Sequence, residues 1–499
     1  MSFQRYKRRL HRISDWITEW VIYLAILFGP WAFGTTQPWA IEVMNGVGFA
    51  LGLLWLGKLF IRASGYHPLR WTQFSGKSES GRAIRPQDRF TWILGTGTFC
   101  ILLYSLIGAW NARAIYHPAQ WSFEYRNAVR WLPHSYDRAK SWAAFWKFLG
   151  LAGLFWALRD WLLTLSPREA AELKDKSFSI HGNSAHLPVR LCRLFWVLAI
   201  NGTLLATQGL MQRVEGGDKL LWLVEPRINQ TADSQFGPYA YRANAAQYFN
   251  LLWPAVLGFW WASVSSRRRR KTPIPPRHNH AGALLPCIVL MAICPLISTS
   301  RGGAIVLGIN LMMAGGILWM AQWRSHWTAK ALLFLLLAAI IGVGVLLGWK
   351  SLAPRMEMFH QGYESRAGLN VTGRYMAQDN PWFGTGAETY GTMFQLYRRA
   401  ETDDWLAFLH NDWLETLISF GRIGFAAILG TLLLIFSRYF FPGGIPGNKY
   451  FVLLLWVSLA GCLFHAYFDF PFQIHSVLTL FLVLCAVLSC LSRRTAVRS

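Results

Sequence analysis

Apolar runs of about 18 to 24 residues recur along this chain, separated mostly by short polar connections. A helix needs roughly 20 residues to cross the hydrocarbon of a bilayer, so runs of this length predict membrane spans rather than core helices. They lie near 17–34, 40–61, 90–110, 141–165, 191–212, 243–265, 281–299, 303–323, 331–349, 414–437, 450–468 and 473–492. The fold expected is an all-α polytopic membrane protein of about twelve transmembrane helices, with a large helical external loop between the ninth and tenth spans. Three regions follow: an N-terminal membrane domain of about nine spans over 1–349, a loop or lid over 350–413, and C-terminal membrane helices, about three spans, over 414–499. A hydrophobic content of 53% with 27 Trp in 499 residues exceeds what a soluble core needs and agrees with this reading.

The formal charge of +24 is topological in origin, because clusters such as Arg267-Arg268-Arg269-Arg270-Lys271 sit between apolar runs rather than along one nucleic-acid-binding face. With the N-terminus inside, the inner connections carry nearly twice the Lys and Arg of the outer ones, which places both termini in the cytoplasm. The first run follows a basic stretch (Arg5, Lys7, Arg8, Arg9, Arg12) that imitates a signal peptide. It lacks a small-residue cleavage site and reads as an uncleaved first helix. The seven cysteines all fall in or at the edge of apolar runs, so neither a disulfide framework nor a metal cluster is indicated. The linker-like segments, Phe74–Asp88 and Lys271–His280, fall on the inner side. Polar content on the outer side comes from 111–140, 213–242, the turn Ser298–Gly303, 350–413 and the link His465–Pro471, five places that can converge on one external mouth.

Candidate chemistry concentrates there. Arg301 lies at the membrane boundary, where a guanidinium either snorkels to headgroups or marks a site, and Gly302-Gly303 beside it permits close approach of a ligand. Arg366 and Arg374 are eight apart, near one face of a helix, and arginine's planar fork suits phosphate. Gly384-Thr385-Gly386 after the Asn380-Pro381 turn precedes a helix-compatible run, Ala387–Arg399, where free N–H groups can meet an anion. A helix from about Asp403 to Phe420, ended by Gly421, places His410 within two turns of Asp403, Asp404 and Glu415. His465 and Asp469, four apart, form a candidate hydrogen-bonded pair. Neither Gly-x-x-x-x-Gly-Lys-Ser/Thr, His-Glu-x-x-His nor Asp-x-Asp occurs, which argues against ATP hydrolysis, zinc proteolysis and metal-dependent nucleotide-sugar transfer.

Four segments, in this order and between these spans, resemble the O-antigen ligase and polymerase family of bacterial membrane glycosyltransferases. They are Ser300-Arg301-Gly302-Gly303; Arg366 fifteen residues before Pro381 in Asp379-Asn380-Pro381-Trp382-Phe383-Gly384-Thr385-Gly386; His410-Asn411-Asp412-Trp413-Leu414-Glu415 followed by Gly421-Arg422-Ile423-Gly424; and His465 with Asp469-Phe470-Pro471. Arg242-Ala243-Asn244 after Phe236-Gly237-Pro238 adds a fifth likeness. The resemblance implies an inverting enzyme of the bacterial inner membrane that works on its periplasmic face without a metal or other cofactor. It would move a glycan from undecaprenyl diphosphate to a hydroxyl of lipid A–core or of another glycan, with the bilayer and no nucleic acid as its surroundings. His410 is then the candidate base and Arg301 and Arg366 the diphosphate ligands, with Arg242, Arg374, Asn411, Glu415 and Asp469 as secondary candidates. The competing expectation, a transporter or flippase for lipid-linked sugars, predicts charges in mid-span and related halves, whereas here the polar residues cluster at one face.

Overall fold

Each of the twelve apolar runs coincides with a helix in the computed structural model, which describes residues 2–71, 86–166, 169, 187–268, 280–322, 327–357, 359–398 and 407–493. The helices are α1 (Ser2–Trp31), α2 (Pro38–Ala63), α3 (Pro86–Trp110), α4 (Arg138–Leu163), α5 (Val189–Glu215), α6 (Arg242–Arg268), α7 (Leu284–Ile297), α8 (Arg301–Ala321), α9 (Trp327–Glu357), α10 (Phe359–Asp379), α11 (Asp412–Ser437), α12 (Lys449–His465) and α13 (His475–Cys490). Among the described residues, six stretches are long and apolar enough to cross a membrane: Pro38–Ala63, Arg89–Trp110, Arg138–Leu163, Val189–Glu215, Arg301–Ala321 and Asp412–Phe440. Three shorter apolar helices, Ala281–Ile297, Lys449–His465 and His475–Cys490, accompany them. The expected linkers at 74–88 and 271–280 lie largely outside the described residues.

Two packing devices hold the bundle. Where α2 crosses α4, a Cβ on Gly48 would stand 2.3 Å from the Gly150 carbonyl oxygen, and one on Gly153 would stand 2.3 Å from the Gly48 oxygen. Small residues at such spacing let helix backbones touch, which substitutes for the hydrophobic drive that lipid does not supply. At one end of the bundle a buried ion network ties α1, α2, α4 and α5. Asp160 accepts from Arg62 at 2.7 and 2.6 Å, and Asp15 accepts from Arg190 at 2.5 Å and from Lys58 at 3.2 Å. Charges this buried fix helix register more than they add stability, since desolvation offsets most of their attraction.

The opposite end carries the link between α12 and α13, residues 466–474, and everything the site needs is packed around it. α12 lies between α6 and α8, while α13 lies against α4. A short antiparallel hairpin (β1, Ala114–His117; β2, Ser122–Tyr125) belongs to the 111–137 connection. That connection clamps the 380–392 segment: the Tyr136 N–H donates to the Thr385 carbonyl at 2.9 Å, and Thr392 Oγ1 donates to the Asp137 carboxylate at 2.9 Å. In the stretch 350–413, α9 continues to Glu357 before α10 begins.

Candidate active site

α11 is broken where the sequence places Gly421, at φ 60° and ψ −174°, a conformation open essentially to glycine. The Asn380–Gly386 turn is spliced into that break. Thr385 N–H donates to Ile418 O at 2.8 Å, Gly386 N–H to Ser419 O at 3.0 Å, and Arg422 N–H to Pro381 O at 2.9 Å. The turn supplies the hydrogen bonds that the helix loses, and the Tyr104 hydroxyl seals it at 3.0 Å from Phe383 O and 2.6 Å from Phe420 O. This corrects the reading of Gly384-Thr385-Gly386 as an anion cradle, since the Thr385 and Gly386 N–H groups are already spent on carbonyls. Of the run Ala387–Arg399, the described residues, which end at 398, form only the short turns Tyr390–Met393 and Phe394–Tyr397.

His410 is not helical, contrary to the expected helix from Asp403. Residues 407–411 are irregular, His410 sits at φ 60°, and α11 starts only at Asp412, capped by Asn411, whose side-chain oxygen accepts from Leu414 N–H at 3.2 Å. Asp403 and Asp404 lie outside the described residues. A left-handed backbone at a non-glycine residue is costly and persists where its surroundings enforce it. Here it turns the ring toward the α12–α13 link, where Nδ1 lies 3.2 Å from Asp469 Oδ1 and the Phe470 ring meets the imidazole edge-on at 4.7 Å. Burial alone would push the Asp469 carboxyl up. The hydrogen bond from His410, with the nearby His410, His465 and Arg366 charges, outweighs burial and holds it below the usual carboxylate range. An ionised Asp469 fixes the proton on Nδ1 and leaves Nε2 as the basic nitrogen, and Nε2 makes no hydrogen bond among the described residues.

The two leading arginines arrive from separate helices. Ser300 Oγ caps α8 by accepting from Gly303 N–H at 3.1 Å, which sets Arg301 at the helix start. A Cβ on Gly302 would stand 2.6 Å from the Phe468 ring and 3.0 Å from His465 Nε2, so glycine is what lets α8 meet the link. Arg301 donates to the Arg355 carbonyl at 3.3 Å, and Arg366, on α10, donates to the Phe468 carbonyl at 2.9 Å. Tyr241 stands at their meeting point. Burial raises its hydroxyl above the ordinary phenol range; Asp469 adds to that, while Arg366, Arg355 and Arg301 oppose it from close by. Its ring stacks on Phe470 at 5.6 Å. Arg366, His410 and Asp469 thus meet along the start of the α12–α13 link, against which the first turn of α8, with Arg301, also packs.

The other candidates do not join them in the same way. Arg374 is exposed: eight residues on a helix turn through two full turns and about 80° more, enough to move it off the face that holds Arg366. Arg242 donates to the Asp233 carbonyl, Asn411 is occupied as a cap and by Asn370 at 3.3 Å, and the buried Glu415 accepts from Leu409 N–H at 2.8 Å. His465 Nε2 lies 3.9 Å from Asp469 Oδ2, too far for the hydrogen bond expected of that pair. Sequence reasoning missed Tyr241 and Arg355. Each adjoins a segment it had marked, Tyr241 just before Arg242 and Arg355 a few residues past the ninth apolar run, but neither type nor spacing distinguishes them without the fold.

Apolar helices of spanning length, with guanidiniums, a His–Asp pair and aromatic rings gathered at one end, define a multi-pass membrane protein with a site suited to anionic, ring-bearing substrates. Residues 286–429, from α7 through most of α11, match the family model described as O-antigen ligase. The match includes Arg301, Arg366 and His410, while Tyr241 and Asp469 lie outside it. No curated protein matches the chain.

Proposed function

We propose that this protein transfers a glycan from undecaprenyl diphosphate to an acceptor hydroxyl at the periplasmic face of the bacterial inner membrane. In this reading the chain spans the membrane twelve times with both termini inside, and the acceptor is lipid A–core or another glycan. The observation that carries the proposal is the His410–Asp469 pair at 3.2 Å, on the same link whose Phe468 carbonyl accepts from Arg366 at 2.9 Å, with Arg301 reaching the Arg355 carbonyl at 3.3 Å nearby. The acceptor oxygen attacks the anomeric carbon, the bond from that carbon to the diphosphate oxygen breaks, and the configuration inverts. The hydroxyl proton passes to His410 Nε2, and the charge growing on departing undecaprenyl diphosphate is met by Arg301 and Arg366, with Arg355 behind them. Arginine suits that task because its fork engages two phosphate oxygens at once. The Tyr241 and Phe470 rings offer a surface on which a sugar can lie.

The test uses purified protein, a synthetic undecaprenyl-diphosphate glycan and a glycan acceptor. Undecaprenyl diphosphate is released by the wild type, and His410→Ala lowers the rate at least about 10²-fold while its level in the membrane is unchanged. Wild-type turnover in that variant removes His410 as the base. Transport of the lipid-linked glycan without release of undecaprenyl diphosphate refutes the transferase reading as a whole.

A further inference from the structure

Beside Phe472 and Gln473 of the 466–474 link, α3, α4, α11 and α13 line a cavity of about 290 Å³. Its walls are apolar, with Leu94 on α3, Phe155 on α4, Leu432 on α11 and Phe481 on α13. α11 packs along α3 and lines the cavity on both sides of the break at Gly421. On α11 the lining continues from Phe425 to Ile435, roughly 15 Å of helix, which is the reach of a lipid chain rather than of a compact solute.

The charged and amide lining residues are concentrated at one end, and their type separates this cavity from the arginine cluster. They are Lys147, Glu388, Asp412, Glu415 and Gln473: one ammonium against three carboxyl groups, with Lys147 Nζ already paired to Glu388. The Thr98, Thr416 and Thr431 hydroxyls, also in the lining, donate to carbonyls of their own helices. None of Arg301, Arg355 and Arg366 lines it. A diphosphate finds no countercharge here, whereas hydroxyl groups find both donors and acceptors. The polar end is built into the link itself. Asp412 accepts from Phe472 N–H at 2.7 Å and from Gln473 Nε2 at 3.1 Å, while three residues earlier Asp469 turns to His410. One short stretch of chain therefore has the candidate base on one side and the mouth of a lipid-sized cavity on the other.

We propose that this cavity holds a hydrocarbon chain of the acceptor, a lipid-anchored molecule that meets the cavity mouth with hydroxyls. This rests on the transferase reading and adds to it a division of the two substrates. The donor's diphosphate is taken by the arginine side, the acceptor's anchor by the apolar cavity with its carboxyl-lined mouth, and His410 stands between them.

The experiment uses the full chain in lipid nanodiscs with two photoreactive probes, a dodecyl glucoside and a farnesyl diphosphate, each carrying a diazirine in its chain. The glucoside labels α3 near 94–102, α4 near 147–155, α11 near 425–435 and α13 near 478–485, and excess unlabelled farnesyl diphosphate does not compete. Ala152→Trp, which fills the cavity, lowers that labelling about tenfold and raises the acceptor KM about tenfold, with donor KM within twofold; Leu432→Trp serves if the first variant does not reach the membrane. Labelling of these helices by farnesyl diphosphate, or glucoside labelling confined elsewhere, overturns the assignment. Turnover without cavity labelling overturns the cavity assignment alone, whereas absence of undecaprenyl diphosphate release with every acceptor overturns the transferase reading beneath it.

Discussion

Asp469→Asn isolates the one charge on which the His410 assignment turns. Asp469 Oδ1 receives His410 Nδ1 at 3.2 Å and also the Phe470 N–H at 3.1 Å. An asparagine placed with its carbonyl oxygen at that position keeps both hydrogen bonds, and its amide group faces His465 Nε2, 3.9 Å from the oxygen it replaces. Geometry is preserved and only the ionised acceptor is lost. A hydrogen bond to a charged group contributes about 1.5–3 kcal/mol against about 0.5–1.5 kcal/mol for a neutral one, so the loss is about 1–2 kcal/mol. If that difference is felt in the transition state, kcat falls about 5- to 30-fold. The assay is undecaprenyl diphosphate release with kcat and donor KM separated, and donor KM stays within twofold because the arginines are untouched. A kcat within twofold of wild type refutes the reasoning. So does a weakened donor with unchanged kcat, which would mean that Asp469 acts through Arg366 instead. Stability gives a second readout. The folded-state carboxyl is held below its ordinary value, so its contribution is complete above the unfolded-state value and is lost as pH falls through the lower folded one. The Tm difference between wild type and Asp469→Asn is therefore largest above about pH 5 and shrinks below it.

Three further outcomes are expected. Arg301→Lys keeps the charge but not the fork and lowers kcat about 10²-fold; a fall of less than threefold would show that a point charge suffices. Gly421→Ala sets a Cβ 2.3 Å from the Trp382 oxygen at φ 60°, and strain of about 1–3 kcal/mol plus overpacking of similar size lowers the thermal stability of the purified protein; an unchanged Tm would show that α11 does not need the break. Transfer persists after dialysis against EDTA, and activity lost to the chelator and restored by magnesium would place a metal where arginines are now assigned.

The period and length of the apolar runs settled the helices, because crossing hydrocarbon imposes a length that a one-dimensional pattern displays directly. The same reading singled out Arg301 at a span boundary and Arg366 and His410 in the polar stretch between spans, because polar content between apolar runs is visible along the chain. It failed where a residue's role depends on its partner. Gly384-Thr385-Gly386 reads as a free cradle until the break at Gly421 is seen to use its N–H groups, and Arg374 shares a face with Arg366 only on a helix of whole turns. His410 was placed on a helix that begins two residues after it. Tyr241, Arg355 and the cavity beside α13 have no local signature at all: each is defined by helices more than fifty residues apart meeting at one end of the bundle. Spans and polar types were written along the chain, but which polar groups face one another was decided by packing, because proximity across the bundle is set by how glycines, kinks and caps let helices approach.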